Sequence, residues 1–332
     1  MFKILYPSTI AAIIFFLSNA FLHGIEKTLI IKKQNYKNWK ETYFIENEKI
    51  KLILLADVGP RIIFFGFKNE ENLFHEIEYS AEQLSQDQWR NYGGHRLWIA
   101  PENKLITYQT DNKPVKVKIE NQKIIMTGNE DSISKTIKEM EIKMHPKFSY
   151  VEIIHRIKNN GDAEIELAAW ALTVLKFGGT AKIPLGKKGN HPEELLPNYS
   201  LALWPYTNLS EPCWKISSDW IEFQSTQKCI LPQKIGASGT EGFLTYELRD
   251  SMFIKTYLFQ NNTVYPDLNS SAEIFSNGKF VELETLSPLR KLKSQETITH
   301  TEYWTIQNTE AKEMNFEEIK KLKQHMLESF KK

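Results

Sequence analysis

Short β-strand patterns separated by turn residues run along most of the chain, and they limit the folds open to it. In SYVEIIHRIKNN (149–160), alternation places Val151, Ile153 and His155 on one face and Glu152 on the other. Similar patterns, rich in Ile, Val and Phe and ending in turn residues, are KTLIIKK, KIKLILLADVGPRIIFFGF, PVKVKIENQKIIMTG and KTIKEMEIKMHP. Their irregular spacing shows no fixed-period repeat, which argues against a propeller or a solenoid. The sequence therefore predicts an all-β fold, a large and mostly antiparallel β-sandwich.

Helical periodicity is confined to two places. One is a short stretch at 80–89, and the other is the C-terminal segment 315–332. Asn315 stands at a capping position with Glu318 three residues later, which is typical of a helix N-terminus. The apolar stripe that this helix would pack inward consists of Ile319, Leu322, Met326 and Phe330.

The length of 332 residues suits one large all-β domain or two ordinary ones. No linker, low-complexity tract or change of composition interrupts residues 25–310. We therefore expect one sandwich domain over 25–310, followed by a helix within 311–332.

The N-terminus has the layout of a secretory signal peptide. Lys3 precedes an apolar run at 10–17, and small residues follow at 18–20. An uncleaved membrane anchor is the alternative, but the run is shorter than the roughly 20 residues that span a bilayer. We expect a signal peptide over 1–20, cleavage near Ala20, a secreted or periplasmic location, and no stable membrane span.

Charge and cysteine content narrow the set of partners. The chain has 42 Lys+Arg against 41 Asp+Glu, so it offers no electrostatic attraction for nucleic acid. Its two cysteines, Cys213 and Cys229, favour a disulfide in an oxidising compartment, although sequence alone leaves the pairing open. No zinc-type spacing of Cys and His is present. We expect no metal and no cofactor.

The stretch NYGGHRLWIAPEN (91–103) combines a glycine pair with His95, Arg96 and Trp98. On a strand, His95 and Arg96 would point to opposite faces, whereas on a loop after the glycines they could converge on one ligand. The alternative is a glycine turn in which His95 is satisfied internally and Arg96 forms a structural ion pair.

A second stretch, NGKFVELETLSPL (277–289), alternates Phe280, Glu282 and Glu284 with apolar neighbours. Two carboxylates would then lie about 7 Å apart along one face. A carboxylate in a half-buried groove can serve as a general base or acid near neutral pH. Glu284 is the stronger candidate, and Glu282 fits a solvent-facing position on the strand.

In the third stretch, TITHTEYWTIQ (297–307), His300, Glu302 and Trp304 share a face. A buried His–Glu pair would orient and charge the imidazole, and a salt bridge on the sheet surface is the alternative.

Aromatic residues indicate the class of ligand. LALWPYTNL (201–209), Trp98, Trp170 and Trp304 supply flat apolar faces. Such faces beside His, Arg and carboxylates suit sugars, because pyranose C–H faces stack while the hydroxyls need donors and acceptors. Packing in the core is the alternative for each tryptophan.

These motifs together resemble the galactose-mutarotase-like (aldose 1-epimerase-like) superfamily. The segments that carry the resemblance, over about 27–308, are DVGPRIIFFGFKNEENLF, GGHRLWIAPE, LALWPYT and FVELETLSPL followed by HTEYW. The resemblance implies a β-supersandwich whose sheet face binds a sugar or oligosaccharide.

The resemblance also implies roles for individual residues. Leu283-Glu284-Thr285 matches the LET motif whose glutamate takes the proton of the anomeric hydroxyl, so Glu284 would be the general base. His95 is the nearest counterpart of a family histidine and would be an acid or ligand, and Arg96 would donate to sugar hydroxyls. The further substrate-binding candidates are Trp98, Trp170, Lys176, His300 and Glu302.

One departure from the family pattern affects the expected activity. Mutarotases place their acid histidine in a segment that corresponds here to ELAAWALTVLKFGG (166–179), which contains none. Ring opening would have to use His95, His155 or Lys176, or would not occur. The hypotheses are an exported aldose mutarotase or epimerase, a non-catalytic sugar-binding protein, and a polysaccharide-lyase-like accessory role.

Overall fold

The computed structural model describes residues 29–85, 87–186, 188–309 and 314–331. The strands in the first half of the chain are β1 (Ile30–Lys33), β2 (Thr42–Glu46), β3 (Ile50–Leu55), β4 (Arg61–Phe67), β5 (Gly94–Ala100), β6 (Lys116–Glu120), β7 (Lys123–Glu130), β8 (Thr136–Met144), β9 (Tyr150–Asn159) and β10 (Ile165–Lys176). Those in the second half are β11 (Thr180–Pro184), β12 (Leu201–Leu203), β13 (Trp214–Ile216), β14 (Trp220–Gln224), β15 (Gln233–Ala237), β16 (Phe243–Leu248), β17 (Ser251–Tyr257), β18 (Ala272–Ser276), β19 (Phe280–Leu286), β20 (Arg290–Leu292) and β21 (Thr297–Asn308).

These strands form two antiparallel sheets. One has eleven strands in the order β1-β2-β3-β4-β5-β10-β19-β18-β15-β12, with β20 pairing to β10. The other has ten strands in the order β13-β14-β11-β16-β17-β21-β9-β8-β7-β6. The predicted all-β sandwich is confirmed.

The apolar faces of the two sheets pack against each other. Phe65 of β4 and Phe74, which bridges to Leu175 of β10, contact Phe253 and Trp304 of the smaller sheet at ring-centroid distances of 5.6–6.0 Å. The burial of β9 alternates as its sequence predicts, with Val151, Ile153, His155 and Ile157 all at 0% exposure. This face of each sheet is therefore the core, and the opposite face of the eleven-stranded sheet is free to carry a site.

The part of the chain that the structure describes contains three helical segments: α1 (Ala81–Ser85), α2 (Pro266–Asn269) and α3 (Phe316–Ser329). The first lies inside the predicted stretch at 80–89. The third begins as the sequence predicts, because Asn315 and Glu318 form a reciprocal capping box. It buries Ile319 and Met326.

Cys213 and Cys229 form a disulfide that closes a short segment of the smaller sheet, as expected for an oxidising compartment. Among the described residues, no helix is long and apolar enough to cross a membrane. The predicted signal peptide, residues 1–20, lies outside the described residues.

Candidate functional site

The glycine pair at 93–94 brings β5 close to its neighbours. Gly93 and Gly94 have φ values of 79° and 67°, in the left-handed region that favours glycine. A Cβ at Gly94 would lie 2.3 Å from the carbonyl oxygen of Ile62, so a side chain there would collide with the backbone of β4. The chain then enters β5 as a strand, and His95 and Arg96 point to opposite faces of the sheet.

Strand register identifies which side chains share the outer face. Arg96 lies opposite Leu172, Leu172 opposite Glu284, and Glu284 opposite Glu273. Directly opposed residues in antiparallel strands point the same way. Arg96, Leu172, Glu284 and Glu273 therefore form a row across β5, β10, β19 and β18, on the side away from the core.

Arg96, Leu172 and Glu284 of this row form the floor of a cleft of about 790 Å³, and Glu273 lies buried beside it. Aromatic side chains and a few charged groups form its walls, as is typical of small-molecule sites. The lining includes His75, Trp89, Arg96, Trp98, Glu102, Tyr108, Trp170, Trp204, Tyr206, Lys234, Lys279, Phe280, Glu282 and Glu284.

A lysine joins two carboxylates at the floor. Lys234 Nζ lies 2.7 Å from Glu273 Oε2 and 2.9 Å from Glu284 Oε2. Its ammonium also stands 4.5 Å from the ring centroids of both Trp170 and Trp204. Trp170 Nε1 donates to Glu284 Oε2 at 2.8 Å, so Glu284 is held by two donors.

The surroundings of Glu273 and Glu284 shift the pKa values of their carboxyl groups in opposite directions. Burial raises the pKa of Glu273 well above its usual value, and the charge of Glu284 adds to this. Burial would also raise the pKa of Glu284, but Lys234 and the hydrogen bonds to Glu284 outweigh it and lower that pKa. Burial would lower the pKa of Lys234, yet the two carboxylates raise it. The two pKa shifts therefore have opposite directions, favouring the ionised form of Glu284 and the protonated form of Glu273.

A second ion pair lies beside the first. Arg96 Nη1 and Nη2 both donate to Glu282 Oε1 at 3.2 Å, and the guanidinium carbon lies 4.3 Å from the ring centroid of Trp98. Burial raises the pKa of Glu282, and Arg96 opposes that rise. The expectation of a solvent-facing Glu282 is wrong, because the cleft walls cover the strand and leave this residue 4% exposed.

His95 belongs to a different network, between the sheets. Its Nε2 lies 2.7 Å from His155 Nε2, and its Nδ1 lies 2.9 Å from Thr173 Oγ1. His155 Nδ1 lies 3.0 Å from the carbonyl oxygen of His300. Since a carbonyl only accepts, His155 donates from Nδ1, accepts at Nε2 from His95, and leaves His95 Nδ1 to accept from Thr173.

The structure does not bring His95 to Glu284. The two side chains lie on opposite faces of the eleven-stranded sheet, because His95 pairs in register with Thr173 and Glu284 with Leu172. Burial lowers the pKa of His95 well below its usual value, so the ring is neutral. The structure brings Arg96 and Glu284 to the lining of one cleft and places His95 on the other side of the sheet.

His300 and Glu302 extend the same internal network. Lys255 Nζ lies 2.8 Å from Glu302 Oε1, and Trp304 Nε1 donates to Glu302 Oε2 at 2.9 Å. Thr285 contacts both Glu302 and His300 Nε2. Burial lowers the pKa of His300 to about 3, so the expectation of a charged imidazole is wrong. Neither His300 nor Glu302 reaches the cleft as a substrate ligand.

One part of this network offers atoms suited to a cation. His95, His155 and Glu302 place one ligand atom each within 4.8 Å of one another. Both imidazole Nε2 atoms share a hydrogen bond, and the Glu302 carboxylate already contacts Lys255 and Trp304. The ammonium of Lys255 supplies the positive charge that a metal would bring. These residues therefore fit a structural hydrogen-bond network better than a metal centre.

The remaining predicted residues divide between cleft, core and surface. Trp98 and Trp170 line the cleft, with ring centroids 5.5 Å apart. Trp304 is fully buried between the sheets and offers no face to a ligand. Lys176 lies at the end of β10 and pairs with Glu71 at 3.3 Å, away from the cleft lining.

The sequence did not reveal several residues that line the cleft or contact its lining. Lys234 and Glu273 stand in ordinary strand patterns, QKIGA and AEIFS. Nothing in these patterns indicates that the charged side chain is buried. Trp89 and Tyr108 come from loops that fold over the cleft. His75 lies in the wall against Phe280, at 5.6 Å between ring centroids. The LALWPYT motif did give a signal, since it supplies Trp204 and Tyr206.

No protein-family model matches the chain, and no curated protein matches it by sequence. Among solved structures, a candidate aldose 1-epimerase from Klebsiella pneumoniae subsp. pneumoniae matches with a TM-score of 0.58 and 10% identity, over 90% of this chain and 87% of that one. A galactose mutarotase-like protein from Lactobacillus casei gives a TM-score of 0.52 and 9% identity, over 80% and 100%. The chain has the galactose mutarotase-like fold.

This fold also occurs in a longer protein. A TPR-domain containing protein from Parabacteroides distasonis matches with a TM-score of 0.55 and 13% identity, over 83% of this chain but only 49% of that one. The chain therefore corresponds to about half of that protein. The predicted resemblance to the galactose mutarotase-like group is confirmed in the fold, and the roles of individual residues rest on the cleft geometry above.

Proposed function

We propose that the chain binds a sugar in the cleft on the outer face of the eleven-stranded sheet. The observation that carries this proposal is one cavity that combines partly or fully exposed rings with ion-paired carboxylates, namely Trp89, Trp204 and Tyr206 with Glu282 and Glu284. Indole faces stack on the C–H faces of pyranoses, and the charged groups hydrogen-bond to hydroxyls. The names of the solved neighbours point to sugar chemistry, which supports the same proposal.

Replacing one cleft tryptophan tests the proposal. We expect Trp204→Ala to weaken binding of sugars about tenfold, because a lost stacking face costs roughly 1 kcal/mol or more. Trp220→Ala is the matched control, since Trp220 is also half-buried but packs against Phe243 and Phe316 outside the cleft. Fluorescence titration over a panel of monosaccharides and oligosaccharides measures both. Equal losses in the two variants would contradict the proposed location.

Aldose mutarotation is a second candidate, and the ionised state of Glu284 favours it. The carboxylate would take the proton of the anomeric hydroxyl while the ring oxygen gains one from an acid. The lining histidine, His75, packs against Phe280, which is four residues from Glu284 along β19, or about 14 Å. His75 therefore packs against Phe280 and not against Glu284, so non-catalytic binding is the first candidate and mutarotation the second.

Exchange of anomers decides between these two candidates. If Glu284 is a general base, Glu284→Gln should lower the enzyme-dependent exchange rate at least 100-fold, within the range that general base catalysis supplies. Saturation-transfer NMR on the same sugar panel measures that rate above the spontaneous one. Wild-type and variant rates equal to the rate without protein would eliminate mutarotation and leave binding.

We also propose that the protein acts outside the cytoplasm. The leader pattern in residues 1–20 and the disulfide between Cys213 and Cys229 support this. Mass spectrometry of the protein from its native cells tests it. A mass lacking the leader is the expected result, and the full-length mass with reduced cysteines would contradict export.

A further inference from the structure

The cleft continues into a second cavity. This outer cavity, of about 640 Å³, is lined by Pro101, Glu102, Lys104, Tyr108, Trp204 and Asp267. Three of these residues, Glu102, Tyr108 and Trp204, also line the inner cleft. The two cavities are therefore one open groove. Its inner part alone crosses five strands, from β5 to β15, or about 19 Å at the usual strand spacing.

Aromatic rings line this groove along its length. Tyr108 lies 5.0 Å from Trp89 and 5.1 Å from Trp98, measured between ring centroids. Trp98 contacts Trp170 in turn, and the ammonium of Lys234 links Trp170 to Trp204. Trp98 and Trp170 are 6% and 2% exposed, and Arg96 and Lys234 lie over their faces. The ring surface open to a ligand along the groove therefore belongs to Trp89, Tyr108 and Trp204.

Charge pairing on the floor selects against acidic sugars. Arg96 is already paired with Glu282, and Lys234 with Glu273 and Glu284. A uronic acid carboxylate entering the groove would also approach Glu102 and Asp267. The four cations that line the groove, Arg96, Lys104, Lys234 and Lys279, are matched by four carboxylates, Glu102, Asp267, Glu282 and Glu284. The groove therefore has no excess of positive charge to attract an acidic sugar.

We propose that the groove binds a neutral oligosaccharide of at least two sugar units. One unit lies over Trp170 and Glu284, and the next occupies the outer cavity between Tyr108, Trp204 and Asp267. This inference rests on the proposed sugar binding and goes beyond it in naming the length and charge of the ligand.

A series of ligands of increasing length tests the inference. Isothermal titration calorimetry would use gluco-, xylo-, manno- and galacto-oligosaccharides of one to five units, with oligouronides of matched length. We expect affinity for the preferred series to rise at least tenfold from one unit to three. We expect the matched oligouronide to bind at least tenfold more weakly.

A double variant locates the second unit. Lys104→Ala with Asp267→Asn changes residues that line only the outer cavity, and Asn tolerates the left-handed backbone at position 267, where φ is 49°. The affinity for three units should fall at least threefold, with the affinity for one unit unchanged. Lys147→Ala with Asp162→Asn, at exposed positions outside both cavities, is the matched control.

The outcomes separate the inference from the proposed function. Equal affinity for one and three units, tighter binding of uronides, or no effect of the outer-cavity variant would each overturn the inference while sugar binding stands. No heat with any sugar in the panel would overturn both.

Discussion

Replacing Lys234 with methionine is expected to lower the free energy of unfolding by about 3–5 kcal/mol, the usual cost of removing one partner from a buried ion pair. The substitution keeps the length of the side chain but removes the ammonium that lies between Glu273 and Glu284. Glu284 is then left as a buried carboxylate without a cation. Urea denaturation at pH 7 measures the loss.

The matched control for this prediction is Lys176→Met. Lys176 also stands in a strand of the eleven-stranded sheet, but its pair with Glu71 is exposed to solvent. Exposed pairs contribute little, about 0–1 kcal/mol. A loss for Lys234→Met no larger than that for Lys176→Met would show that the buried cluster does not hold the charges assigned to it.

The histidines between the sheets are expected to make the protein less stable as pH falls. Burial lowers the pKa of His155 and of His300 to about 3 in the folded chain, against about 6.5 when unfolded. Between these values the unfolded chain binds the extra proton, so the free energy of unfolding decreases on acidification. Each histidine contributes a slope of about 1.4 kcal/mol per pH unit below pH 6.5.

His300→Gln isolates one of these contributions. Urea denaturation at pH 7, 6 and 5 should show that the variant has lost about 1.4 kcal/mol per pH unit of the wild-type slope. Contributions from the carboxylates cancel in the difference between variant and wild type. His191→Gln, at an exposed position, should keep the wild-type slope. An unchanged slope in His300→Gln would show that the imidazole is not held neutral by burial.

The local sequence pattern was sufficient to predict the all-β class, the buried face of a strand and the start of a helix. Alternation predicted the buried face of β9, and the Asn315–Glu318 spacing predicted the start of α3, because both depend on residues close in sequence. The order of strands within each sheet was not predictable in this way. It depends on pairings such as β10 with β5 and β19, which join segments far apart in the chain.

The candidate site was predicted in part for the same reason. Glu284 could be placed on a polar face by alternation within its own strand, and Arg96 was named as a donor from the family resemblance. The error over His95 came from treating 93–96 as a loop, whereas the glycine pair only opens the strand and the alternation of β5 sends His95 inward. Lys234 and Glu273 could not be predicted as site residues from the sequence. Their ion pairs with each other and with Glu284 form only because β15, β18 and β19 are neighbours in the sheet.

NMR of the tryptophan indoles tests most directly whether this galactose mutarotase-like fold binds sugar in the cleft. The Nε1–H resonances of tryptophan would be followed during titration with the sugar panel. We predict saturable shifts for Trp89, Trp170 and Trp204 in the cleft, and none for Trp304, which is buried between the sheets. Absence of any shift with every sugar, or shifts confined to tryptophans outside the cleft, would contradict the account.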